Sequence, residues 1–196
     1  MLSRYKSIAE NNLQAVAKKL SWLNPNFITI IGIIPPILFL IFMNSHMWGW
    51  AIAMLILTPL DMIDGIVARA NNSVTAFGGF LDSTMDRIGD FLIITGLYSG
   101  GLISLPLAAL LLLVTFLISY ARSRAELASH SNQIFNQGII ERPERILYIL
   151  LVVIIFSLWP NVSVGGYQLT TVLIIILILL SIITITQRVY AAYKNL

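Results

Sequence analysis

The stretch Asp61-Met62-Ile63-Asp64-Gly65-Ile66-Val67-Ala68-Arg69, followed at fixed spacing by Gly78, Asp82 and Asp86, sets four carboxylates into sequence that is otherwise apolar. A charged residue near the middle of a transmembrane helix costs roughly 2.5–3.5 kcal/mol, so four left unpaired would approach about 10 kcal/mol. Something must neutralise them, and that requirement points toward function.

The surrounding composition makes the cost real. Only 11% of the 196 residues are charged, against about 25% in a soluble domain. The expectation is an all-α polytopic membrane protein, one domain over residues 1–196, with about six helices of ~20 residues. Cysteine is absent and histidine occurs twice, which excludes a disulfide framework and thiolate chemistry and disfavours a histidine zinc site. No nucleic-acid partner is expected.

Residues 1–20 do not read as a signal peptide, because Arg4, Lys6, Glu10, Lys18 and Lys19 interrupt any apolar core. Leu2, Tyr5, Ile8, Ala9, Leu13, Val16, Ala17 and Leu20 recur at helical intervals. An amphipathic helix lying in the membrane interface is expected there. Six spans follow within residues 26–193. They are predicted over 26–42, with a kink at Pro35-Pro36, then 48–70, 75–98, 105–129, 142–159 and 168–193. The loops 44–49, 99–106 and 160–168 contain no lysine or arginine. The positive-inside rule therefore places both termini, and the charged chemistry, at the cytoplasmic face of the cell membrane.

Within the opening stretch, Asp61 and Asp64 are three residues apart and share a helix face, while Gly78, Asp82 and Asp86 stack along one stripe. Two antiparallel helices joined by a short loop bring these faces together. Facing carboxylates repel unless cations intervene, and hard oxygen ligands at this count suit a pair of Mg²⁺ or Mn²⁺ ions. The small residues admit a phosphate-bearing ligand, to which Arg69 offers a positive fork. The structural alternatives are buried salt bridges, for instance through Arg69 and Arg87, or a transporter's ion pathway. Arg69 and Arg87 would leave two aspartates bare. A transporter's inverted repeat has no counterpart of the aspartate pattern in residues 99–196.

The stretch resembles the signature of the CDP-alcohol phosphotransferases, D-x2-D-G-x2-A-R-x8-G-x3-D-x3-D, at every fixed position. The resemblance implies that Asp61, Asp64, Asp82 and Asp86 hold two Mg²⁺ ions (or Mn²⁺), with Asp86 also the general base. It implies that Gly65, Arg69, Thr75 and Gly78, with Asp61, border the cytidine diphosphate of the donor. Asn26-Phe27-Ile28-Thr29 resembles the family's nucleotide-contacting turn. An acceptor hydroxyl would attack the lipid-linked phosphorus and expel CMP. The resemblance also suggests a homodimer.

A second cluster bears on the acceptor. Arg122 and Arg124 fall late in one predicted span, Arg142 and Arg145 open the next, and Arg188 lies late in the last. Arginine forks suit a phosphate dianion and would repel a cationic acceptor. The alternative is a set of snorkelling arginines paired with Glu126, Glu141 and Glu144. The string Glu141-Arg142-Pro143-Glu144-Arg145, with Arg122-Ser123-Arg124-Ala125-Glu126 upstream, is similar to the phosphatidylinositol-phosphate synthase branch, whose archaeal counterparts make archaetidylinositol phosphate. One departure is arginine at position 122, where some members have lysine. The implied partners are CDP-diacylglycerol or CDP-archaeol, inositol phosphate and membrane lipids. The rival acceptor is glycerol phosphate, with the same chemistry.

Overall fold

The computed structural model describes residues 24–61, 74–129 and 137–196. The expected interfacial helix over residues 1–20 lies outside them. The elements in chain order are α1 (Pro25–Ile31), α2 (Ile34–Asn44), α3 (Trp48–Leu57), a 3-10 turn (Thr58–Asp61), α4 (Ala76–Ser99), α5 (Leu105–Ala128), α6 (Arg142–Leu158), a hairpin of β1 (Ser163–Val164) and β2 (Tyr167–Gln168), and α7 (Leu169–Asn195).

The first predicted span is two helices. Asn24 caps α1, its Oδ1 accepting from the Asn26 amide at 3.0 Å, and Pro25 occupies the first turn, where no amide is needed. The break falls at Gly32–Ile33 rather than at the prolines. Pro35 and Pro36 donate nothing to the carbonyls one turn earlier and their rings crowd them, so the chain restarts with both prolines in the first turn of α2. The second predicted span departs from expectation in the same way. It tightens into a 3-10 turn at Thr58–Asp61, because Pro59 cannot bond the Leu55 carbonyl.

Packing is closest where α2 crosses α4. A Cβ placed on Gly96 would lie 2.7 Å from Phe39, and one on Gly100 would lie 2.8 Å from Met43. Both partners are fully buried, so these glycines set how near the helices lie. The core continues through Leu55, Leu97, Leu111, Val152 and Leu177, where α5 packs on α7 and α6 on α3 and α7.

The loop predicted over residues 160–168 contains a hairpin. Ser163 pairs with Gln168 and Val164 with Tyr167. Gly165 and Gly166 both adopt positive φ, at 58° and 84°, as a two-residue turn of primed type requires.

The outward faces are apolar as well, with Ile37, Ile41, Phe91, Leu113, Leu147, Leu151 and Leu179 exposed. Such a surface is stable against lipid rather than water. The segments Pro25–Asn44, Leu105–Ala128 and Leu169–Asn195 are long and apolar enough to cross a membrane, and Trp48–Leu57 is a shorter apolar helix. The chain is that of a membrane protein. In α4, Asp82, Asp86, Arg87 and Asp90 interrupt the apolar sequence, and their location positions the site.

Candidate active site

Thr75 starts α4, its Oγ1 accepting from the Gly78 amide at 3.0 Å. From Gly78 the helix carries Asp82, Asp86 and Asp90 at successive intervals of four, one stripe along its first half. The start of α1 lies against this stripe. A Cβ on Gly78 would sit 3.1 Å from Thr75 Oγ1 and 3.2 Å from Asn26 Oδ1, so a side chain there would press the two helix starts apart. Phe27 is exposed and Ile28 half-buried. Thr29 is buried, with its hydroxyl donating to the Pro25 carbonyl at 3.1 Å. A crevice of about 10 Å³ between Thr29, Gly32, Pro36 and the Asp82–Asp86 side of α4 holds at most about one water.

Asp61 ends the 3-10 turn, which packs against α1. The Asp61 side chain and residues Asp64, Gly65 and Arg69 lie outside the described residues. Among the described residues no group of three carboxylate or histidine side chains gathers as a metal cage. The donor chemistry of the described half nonetheless fits a hard divalent cation. Asp82 and Asp86 are oxygen donors one turn apart and border the same hollow.

That hollow, of about 370 Å³, lies between α4, α5, α6 and α7. Its charged lining among the described residues comprises Asp82, Asp86, Glu126 and Glu141 with Arg87, Arg122, Arg142, Arg145 and Arg188. The helices α4 and α6 begin, and α5 and α7 end, at this level. Four of the five arginines singled out in the sequence therefore come together here. Arg124 does not join them. It is exposed and stands about 200° round α5 from Arg122.

The start of α6 explains the Glu141–Arg145 string. Glu141 is the N-cap, and its amide donates to Glu144 Oε2 at 3.1 Å, half of a capping box. Pro143 sits in the first turn, where it is tolerated. The remaining two residues display their charge. Arg142 Nη1 lies 2.6 Å from Asp86 Oδ1, and Arg145 Nη2 lies 2.7 Å from Asp90 Oδ2. Arg87 Nη1 stands 3.6 Å from Asp86 Oδ2.

The other two arginines serve different ends. Arg122 pairs with Glu126 one turn on, at 2.9 Å. Arg188 is almost fully buried and donates to the Gln137 carbonyl, the Ile118 carbonyl and Glu141 Oε1, at 2.9, 2.7 and 3.1 Å. It ties α7 to α5 and to the segment that leads into α6.

One residue of this web, Asp90, lies beyond the residues that the sequence pattern marks. Asp90 continues the four-residue spacing beyond Asp86, which was its only signal. Arg87 pairs with an aspartate, as its place in the sequence allows, and also joins the basic lining.

Solved structures with this fold include the phosphatidylinositol phosphate synthase of Mycobacterium tuberculosis with CDP-DAG bound. It superposes with a TM-score of 0.77 at 27% identity, covering 93% of this chain and 94% of that one. The same enzyme in complex with manganese and citrate gives a TM-score of 0.76 at 26% identity, covering 93% and 90%. Among sequence relatives, the archaetidylinositol phosphate synthase of Pyrococcus horikoshii is 38% identical over 201 residues, spanning 100% of this chain and 98% of the relative. The phosphatidylinositol phosphate synthase of Mycobacteroides abscessus is 32% identical, spanning 97% and 87%. The family model for CDP-alcohol phosphatidyltransferases matches residues 22–193, and the chain belongs to that family.

Proposed function

We propose that this protein transfers the phosphatidyl or archaetidyl group of a CDP-activated lipid to a hydroxyl of inositol phosphate, releasing CMP. The observation that carries the reading is the hollow in which the Asp82–Asp86 stripe of α4 faces arginines from neighbouring helices. Its relatives' names, archaetidylinositol and phosphatidylinositol phosphate synthase, support the same acceptor.

Asp61, Asp64, Asp82 and Asp86 would hold two divalent cations, Mg²⁺ or Mn²⁺. Bound there, the cations supply charge that stabilises the departing phosphate of CMP. The rest falls to the chain itself. Asn26–Thr29 in the first turn of α1, Thr75 and the side-chain-free surface of Gly78 border the space for the cytidine diphosphate, with Gly65 and Arg69 contributing from the adjoining segment. Arg122, Arg142, Arg145 and Arg188 face the acceptor's phosphate, and Arg87 adds charge on the same wall. Arg124, outside the hollow, does not join this set. Asp86 takes the proton of the attacking hydroxyl. The polar hollow adjoins an apolar one of about 570 Å³ that shares Ser83, Arg87, Ser119 and Ser123 with it. A phosphate-bearing lipid can thus meet both kinds of surface side by side.

The same reading takes residues 1–196 as one membrane domain of six spans preceded by an interfacial helix at 1–20. The distribution of lysine and arginine supports termini and site at the cytoplasmic face. Assembly as a homodimer belongs to the reading through the family resemblance.

The test is purified protein given radiolabelled CDP-archaeol or CDP-diacylglycerol, with inositol phosphate, free inositol and glycerol phosphate offered separately. Lipid product and CMP are expected with inositol phosphate. Product with glycerol phosphate alone would reassign the acceptor.

A further inference from the structure

Asp90 stands outside the aspartate signature, yet it is the one buried carboxylate among the described residues, at 3% exposure. Its two oxygens are divided between two arginines. Oδ2 lies 2.7 Å from Arg145 Nη2, and Oδ1 lies 3.7 Å from Arg142 Nε. Arg142 in turn reaches Asp86 Oδ1 with Nη1 at 2.6 Å. A chain of charge therefore runs from the core, through Asp90, to a guanidinium that lines the hollow.

Arg142 needs such a hold. It occupies the first turn of α6, where the unpaired amides of the helix repel a cation. Arg145 stands one turn further on, and Arg87 approaches from α4. A long side chain under this repulsion has every reason to turn its head to water. The carboxylate behind it, shielded from solvent, opposes that motion more strongly than an exposed one would. Asp90 sits one turn below Asp86 on the same stripe, so the carboxylate behind Arg142, an ion-pair partner at 3.7 Å without a hydrogen bond, and the one it touches share one helix.

We propose that Asp90 is a positioning residue for acceptor binding, holding Arg142 and Arg145 from behind in the orientation that receives the acceptor's phosphate. This rests on the phosphorylated-acceptor reading given above. A merely structural ion pair would behave differently. Its loss would reduce the amount of folded enzyme while leaving the Michaelis constants of the remainder unchanged.

The experiment measures kcat and both Michaelis constants, per folded protein by gel filtration in detergent, for Asp90→Asn, Arg142→Gln and the two combined. Asp90→Asn should raise the acceptor KM about ten- to a hundredfold, the scale of a displaced supporting group. The donor KM should stay within about twofold. Arg142→Gln should raise the acceptor KM in the wild-type background and add little in the Asp90→Asn background, because residues acting as a unit are not additive. Should Asp90→Asn fail to fold for want of a partner to buried Arg145, the same comparison runs in Asp90→Asn/Arg145→Gln, with Arg145→Gln as its reference. An unchanged acceptor KM, or an Arg142→Gln effect equally large in both backgrounds, overturns the proposal. The wild-type acceptor panel separates this from the function reading. If only glycerol phosphate is used, the inositol assignment falls and the same comparison on that acceptor still decides Asp90. If only an unphosphorylated alcohol is used, both fall.

Discussion

Arg188 on α7 donates through Nη1 to the backbone carbonyl of Ile118 on α5, at 2.7 Å. The same guanidinium also holds the Gln137 carbonyl and Glu141, so its planar fork closes three elements around the hollow. Lysine keeps the charge but cannot span three acceptors in one plane. Arg188→Lys should lower stability by about 2–3 kcal/mol, the scale of charged hydrogen bonds lost in a buried setting. The thermal midpoint in detergent reads this directly, and an unchanged midpoint would remove the stapling role.

Arg122 and Arg124 provide an internal contrast on one helix. Arg122 lines the hollow beside Glu126, whereas Arg124 is exposed away from it. Arg122→Ala should raise the acceptor KM about tenfold or more, as loss of a charge-assisted contact does. Arg124→Ala should leave it within about twofold, the ordinary scatter of a surface change. The reverse ranking would mean that the phosphate binds outside this hollow.

What the sequence makes legible depends on whether the cause is local. The aspartate spacing and the helices from α4 onward follow from periodicity along single segments, and Arg122, Arg142, Arg145 and Arg188 share a level because each lies near the helix end that the distribution of basic residues assigns to one membrane face. The break falls at Gly32–Ile33, ahead of the predicted kink, because a proline disrupts the turn before it, not its own position. Pro59, inside an apolar run, acts on the preceding turn in the same way. Asp90 lies beyond the signature, which ends at Asp86, although its spacing is identical. The three-way grip of Arg188 depends on α5, α7 and the Gln137–Glu141 segment meeting in space. No spacing within α7 reports that. Arg124 illustrates the opposite failure, since charge and proximity in sequence suggested a place that helix geometry denies it.

Gly138 joins backbone conformation to the site. Its φ is +155°, and a Cβ there would stand 2.5 Å from Thr184 Cγ2. The neighbouring Ile140 amide donates to Thr184 Oγ1 at 3.1 Å, so the segment leading into α6 is fixed on α7 at this point. Gly138→Ala should cost about 1–3 kcal/mol through overpacking and strain. It should also raise the acceptor KM, because Arg142 and Arg145 take their place from the start of α6. A variant with wild-type midpoint and KM would show that the segment relaxes freely.

Asp86 combines two demands, since it lines the hollow and lies within 2.6 Å of Arg142 Nη1. Asparagine preserves shape and hydrogen bonding but neither charge nor basicity. Turnover of Asp86→Asn should fall by about 10²–10⁴, the range for loss of a general base. The side chain is only partly buried, so folding, followed by gel filtration and helical circular dichroism, should survive. Near wild-type turnover would sink the base assignment.

Metal dependence tests the carboxylate set as a whole. The hollow's described lining sets five arginines against four carboxylates, a nearly balanced site that has little net pull on an anionic donor and an anionic acceptor together. Two divalent cations on Asp61, Asp64, Asp82 and Asp86 would tip it strongly positive and supply the charge stabilisation that the arginines, committed to Asp86, Asp90, Glu126 and Glu141, leave unmet. Treatment with a chelator should abolish transfer, and added Mg²⁺ or Mn²⁺ should restore it. The midpoint should rise with metal in the wild type and rise less in Asp82→Asn, since a ligand that binds only the folded state stabilises it. Full turnover in the chelated enzyme, or an identical metal-induced shift in Asp82→Asn, would leave the aspartates without the proposed role.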